Sequence, residues 1–145
     1  MNRESLQKMD LIMSVPLSTP QAPLKTLVID ANFFFAGSLE EFLENQGHAI
    51  QRASSASEAL AKTRDFQPDL IFLDSELDAV SGLHILPELL MEQPSAAVIV
   101  MARNPQIAEA VEAIKRGAAE YLARPLDFNK LIQVIEFQRL ISARV

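Results

Sequence analysis

Two aspartates in this chain stand where an acid can do work. Asp30 closes the apolar run LVID, Asp74 closes LIFLD, and a cationic group, Arg124, precedes Pro125 after EYLA. A carboxylate delivered partly desolvated to the rim of a fold serves as a nucleophile, a metal ligand or one half of an ion pair. A guanidinium within reach of it neutralises charge in a fixed planar geometry. The competing structural reading is that strand-end aspartates cap turns, which short polar side chains do readily. Position leaves the two readings open, since structural networks perturb acids too. Metal-assisted phosphate chemistry usually wants two acids, yet this strand delivers Asp30 alone and the next residue is Ala31.

The elements that position these residues are short apolar runs alternating with amphipathic stretches. Strands are expected at Thr26–Asp30, Ala49–Arg52, Leu70–Asp74, Ala97–Met101 and Glu120–Leu122. The consecutive apolar residues of LVI, LIFL and AVIVM fit parallel strands covered on both faces. Helices are expected at Phe34–Gln46, ended by Gly47 as a left-handed cap and carrying Leu39, Phe42 and Leu43 at helical spacing, and at Ala56–Asp65 after Ser55. A further helix from Gln106 to Arg116 has Ile107, Ala110, Val111 and Ile114 on one face and stops at Gly117. The last, Asp127 to Ser142, opens on an acid that can cap it, and Leu131, Val134, Ile135 and Leu140 suit one apolar stripe. Pro87, inside SGLHILPELLMEQ, lacks the N–H that would bond back to Leu83, so a short helix from near Ile85, or a kinked one, is expected there.

Five strands alternating with five helices predict a single α/β domain with a parallel sheet over residues 24–145. In such sheets the functional crevice lies at the carboxyl ends of the strands. That edge receives Asp30, Asp74, Ala102 with Arg103, and Arg124 with Pro125. Residues 1–23 hold three of the eight prolines and read as an N-terminal extension, a helical turn or two around Leu6 to Met13 followed by a flexible linker.

Composition narrows the function classes. The 145 residues carry 13 Lys+Arg against 19 Asp+Glu, a net charge of −6 that argues against nucleic acid or an anionic membrane as the main partner. Without cysteine, disulfides, thiolate metal sites and a cysteine nucleophile are excluded. No apolar run approaches a membrane span and the polar N-terminus lacks a secretory pattern, so a cytoplasmic protein is expected. The four glycines form no clustered phosphate-binding loop, and no nucleophile-elbow spacing appears. His48 and His84 have no second ligand at metal spacing and are expected at the surface. Of Phe33, Phe34 and Phe35, two are expected in the core and one near the mouth of the acidic crevice, because consecutive helical residues cannot share a face.

PDLIFLDSELDAVSG, with LVIDAN upstream and GAAEYLARPLD downstream, resembles the receiver (CheY-like) domain of bacterial two-component response regulators. The match runs in order through nearly all of residues 24–145 and includes EAL in the second helix and Gly82, eight residues after Asp74. The resemblance implies a flavodoxin-like doubly wound sheet of strand order 2-1-3-4-5 and a phosphoryl group passed from a sensor histidine kinase to Asp74. It also implies Mg²⁺ at the site and a cis bond at Arg124–Pro125. Asp30, Asp74 and the position of Glu76 would contribute to metal binding, and Tyr121 matches an aromatic that swings inward on activation.

Three positions depart from the family pattern. Its second acid aligns to Ala31, its hydroxyl residue after the fourth strand to Ala102, and its lysine to Arg124. A methyl group cannot ligate Mg²⁺, and arginine's planar fork does not replace an ammonium. Arg124 is therefore expected to pair bidentately with Asp74 and neutralise the site, while Glu76 or Asp78 could restore a lost ligand. The expected protein is an atypical receiver acting through protein–protein contacts, with an isologous dimer across helix 106–116, strand 120–122 and helix 127–142 as one arrangement. That face carries Arg116, Glu120, Lys130, Glu136 and Arg139 among apolar neighbours. The alternatives are a fully working Mg²⁺-dependent receiver and, more remotely, an unrelated small α/β enzyme or nucleotide binder.

Overall fold

Strands apolar on every consecutive residue have no face to give to water, so they need cover on both sides. The computed structural model, which describes residues 23–77 and 81–143, provides it. The elements are β1 (Lys25–Ile29), α1 (Phe33–Asn45), β2 (Ala49–Ala53), α2 (Ala56–Phe66), β3 (Leu70–Asp74), a 3₁₀ turn (Gly82–His84), α3 (Leu86–Glu92), β4 (Ala97–Ala102), α4 (Ile107–Lys115), β5 (Glu120–Ala123) and α5 (Phe128–Ala143). The five strands are parallel in the order β2-β1-β3-β4-β5, the flavodoxin-like arrangement expected. Element ends fall within one or two residues of the expected ones. The expectations for residues 1–22, for Asp78 and for the side chains of Phe33, Phe34 and Phe35 lie outside the described residues.

Alternate strand residues point to opposite faces and build two core layers. Leu27, Ile29, Ile71, Leu73, Val98 and Val100 pack with Ala59 of α2, Leu86 and Leu89 of α3 and Ala113 of α4. Val28, Leu70, Phe72, Ile99 and Met101 pack with Leu39 and Leu43 of α1 and Leu131 and Ile135 of α5. Local chemistry sets the helix ends. The Ser55 hydroxyl accepts the Glu58 N–H at 3.3 Å, and Asp127 Oδ1 accepts the Asn129 and Lys130 N–H groups at 3.0 and 3.3 Å. Gly47 and Gly117 take φ of 89° and 107° after their helices. Pro87 lies in the first turn of α3, where a missing N–H costs nothing, and the 3₁₀ turn precedes it.

Two packing expectations are corrected, for Leu140 and His48, and the direction of the α4 stripe is added to them. The apolar stripe of α4 does not enter the core: Ile107, Val111 and Ile114 are 86%, 49% and 52% exposed, and the buried residue of that helix is Ala113. α4 thus meets the sheet through a small side chain and turns its larger apolar residues outward. Leu140 is likewise 52% exposed, so the inward stripe of α5 is Leu131, Val134 and Ile135. His48 is buried rather than at the surface: its Nδ1 accepts the Leu24 N–H at 3.3 Å, and burial, then the charge of Arg139, lowers its pKa. His84 is exposed, as expected. Among the described residues no helix is long and apolar enough to cross a membrane.

The turn after β3 depends on Gly82. Its N–H donates to the Ser75 carbonyl at 2.9 Å, and a Cβ added to it would stand 2.0 Å from the Asp74 carbonyl oxygen. That oxygen is backbone and cannot swing away. Gly82→Ala should therefore destabilise the protein by about 1–3 kcal/mol, the usual cost of overpacking, read as a lower midpoint in urea denaturation.

Candidate functional site: an acid pair with one guanidinium

The carboxyl edge of the sheet gathers two acids and a base from distant parts of the chain. Asp30 follows β1, and its N–H donates to the Ala53 carbonyl at 3.0 Å, which carries the β1–β2 ladder one residue further. Its Oδ1 accepts the Asn32 N–H at 2.8 Å, a local turn bond. Its Oδ2 accepts Arg124 Nη2 at 2.6 Å, and the two side chains are 1% and 2% exposed. The Arg124 N–H donates to the Ala102 carbonyl at 2.8 Å, so the β4–β5 ladder fixes where the side chain starts. The Arg124–Pro125 bond is cis, as expected.

The expected bidentate pairing of Arg124 with Asp74 is corrected, because the guanidinium bonds Asp30 instead. An arginine rooted beyond β5 is long enough to cross the ends of β4 and β3, passing 3.6 Å from the Met101 sulfur on its way. Asp74 feels Arg124 through its charge. It ends β3 in register with Met101, is buried, and its Oδ1 accepts the Glu76 N–H at 3.0 Å. Burial is the main cause that raises the Asp74 pKa, and the neighbouring Asp30 carboxylate adds to it. The Glu76 N–H and the Arg124 charge oppose that rise.

The other expected site residues are placed as follows. Ala31 is exposed beside the crevice and Ala102 is fully buried at the end of β4. Glu76 turns its side chain to solvent, and its described link to the acids is its backbone N–H. Tyr121 is half-buried with its O–H donating to Glu109 Oε1 at 2.7 Å and accepting the Gln106 N–H at 3.3 Å. Its hydroxyl therefore engages α4. The sequence reading missed Glu109 and the second cation near Asp30, Arg52, which is forked onto Glu40 by two bonds of 2.7 Å. Neither had a local signal, since both pairings cross between elements. For a divalent cation the chain offers Asp30 and Asp74, and three of their four oxygens already accept bonds from Asn32, Arg124 and Glu76. Among the described residues no group of three or more His, Asp or Glu side chains converges as a metal set.

Two stability predictions follow from this electrostatic arrangement. Arg124→Met should cost about 3–5 kcal/mol in chemical denaturation, because it strands a buried carboxylate. Adding Asp30→Asn should recover most of that loss, a non-additivity that a double-mutant cycle measures. Asp74 has the opposite sign. Its raised pKa means that the folded state holds its proton more tightly than the unfolded chain, so ionisation costs stability. Asp74→Asn should be nearly neutral below the ordinary aspartate value of about 3.9 and increasingly stabilising as the pH rises through the raised folded value. Urea midpoints of both proteins from acid to neutral pH check this.

The comparisons agree with the geometry. The family model of the response regulator receiver domain matches residues 26–136. The transcriptional regulatory protein ZraR of Klebsiella oxytoca is 34% identical over 105 residues, covering 72% of this chain and 24% of that protein. The chain thus spans about a quarter of the length of the first curated relatives it matches. A Burkholderia pseudomallei response regulator, solved with a phosphorylated aspartic acid, calcium ion and citrate, superposes with a TM-score of 0.73 at 33% identity, covering 83% of this chain and 74% of that one. The receiver domain of NtrX from Brucella abortus gives a TM-score of 0.73 at 32% identity, covering 78% and 96%. With the sheet order, the acid pair and the matched residues in agreement, the chain belongs to the response regulator receiver domain family.

Proposed function

We propose that this chain is an atypical receiver in which Asp74 keeps the phosphoacceptor position while Arg124 has taken over the charge balance of the site. Receiver domains work in two-component signalling and interact with histidine kinases. This one acts in the cytoplasm mainly through protein–protein contacts, with phosphorylation weak or absent. The observation that carries the reading is the Arg124–Asp30 bond of 2.6 Å. It places a permanent cation on the acid that a metal ion would need, and Asp30's other oxygen accepts the Asn32 N–H. Mg²⁺ demands near-ideal octahedral oxygen geometry, and Ala31 adds no oxygen to that set. The donor set therefore fits the ion poorly.

The surface of α4, β5 and α5 is the contact face in this reading. The outward turn of Ile107, Val111 and Ile114, together with exposed Phe137 and Leu140, supports a partner or a second copy there. A second reading, a working Mg²⁺-dependent receiver, has one observation on its side: a relative at 33% identity carries a phosphorylated aspartic acid.

Acetyl phosphate with Mg²⁺, followed by intact-mass measurement of the full chain, separates the two. The expected result is no phosphoryl adduct under conditions that label an ordinary receiver, with labelling restored by Ala31→Asp combined with Arg124→Lys. An adduct on the unaltered protein that vanishes in Asp74→Asn would overturn the atypical reading.

A further inference from the structure

Helix α4 begins without a side-chain cap of its own, since Gln106 stands at its N-cap and makes no side-chain cap bond. In an ordinary capping box a glutamate three residues into the helix reaches back to the N-cap N–H. Glu109 occupies that third position but does not bond the Gln106 N–H directly. The Tyr121 hydroxyl stands between them: the Gln106 N–H donates to it at 3.3 Å, and its O–H donates to Glu109 Oε1 at 2.7 Å. The box is completed by a residue of another element, which ties the start of α4 to β5. The far end of α4 is tied as well. Arg116 donates through Nε to Glu112 Oε1 at 2.9 Å and through Nη1 to the Leu83 carbonyl at 3.0 Å. Leu83 adjoins Gly82, which packs on the Asp74 carbonyl.

We propose that Tyr121 and Glu109 form a shared cap that latches α4 onto β5 in one register whatever the state of Asp74, so that the stripe Ile107, Val111 and Ile114 is displayed permanently. Two features make the latch one-sided. The tyrosine hydroxyl already has a charged acceptor, and a bond to a carboxylate is roughly twice as strong as a neutral one. The end of β4 offers no competing polar side chain, because Ala102 carries only a methyl group there. Glu109 is a positioning residue here, and the meaning of the displayed stripe rests on the contact face proposed above.

Tyr121 is the protein's sole tyrosine and there is no tryptophan, so ultraviolet absorbance titrates this one phenol in the full chain. Burial first, then the Glu109 carboxylate, hold it above the ordinary tyrosine value, with the Gln106 N–H opposing them. Glu109→Ala should lower the titration midpoint, and Asp74→Asn should leave it unchanged. Hydrogen exchange at the α4 N-terminal amides should quicken about tenfold in Glu109→Ala, with the same loosening in Tyr121→Phe. An unmoved midpoint in Glu109→Ala, unchanged exchange in either latch variant, or a midpoint that shifts in Asp74→Asn would overturn the proposal. The titration reports the latch alone, so its failure is distinct from failure of the atypical-receiver reading, which phosphoryl labelling tests.

Discussion

An ionised carboxylate as deeply buried as Asp30 loses the water that would solvate it, and the structure must return that solvation from protein groups. It does so with one backbone N–H from Asn32 and the guanidinium of Arg124. The pair joins the end of β1 to the residue after β5, so it spans the full working edge of the sheet between them. β3 and β4 are held beneath it, with Asp74 and Met101 side by side in register. The charge state of the whole crevice follows from this single bond. One cation is shared between two acids, and the acid it bonds is the one at β1.

Asp74 is consequently under a different constraint from Asp30. It has a backbone donor and the positive charge of Arg124, set against burial and a neighbouring carboxylate, and burial wins. A divalent cation would change that balance, but Ala31 beside Asp30 adds no side-chain oxygen. The backbone at Asp74 is also held from below by Gly82, where no side chain fits. The acid is thus fixed in place by packing that does not depend on any ligand.

The seating of α4 is governed by the small size of Ala113. A helix that contacts a sheet through alanine has its larger residues on other faces, which is why Ile107, Val111 and Ile114 reach solvent. A helix seated on so little apolar area needs other restraints. Polar bonds supply them at both ends, from Tyr121 and from the Leu83 carbonyl.

The strands and most helix limits were legible from the chain because their causes are local. Consecutive apolar residues in LIFL and AVIVM require cover on both faces, Ser55 and Asp127 cap helices they adjoin, Gly47 and Gly117 take left-handed φ, and Pro87 must sit in a first turn. The positions of Asp30, Asp74 and Arg124 at one edge followed from the same alternation of strands and helices. Which acid the arginine grips did not, nor did the burial of His48, the outward turn of the α4 stripe or the partner of Tyr121. Helical periodicity shows that apolar residues share a face, but not which way that face is turned once a smaller residue fits the sheet better. Hydrogen-bond partners separated by many residues depend on side-chain reach across a finished sheet, and only the assembled tertiary structure decides that.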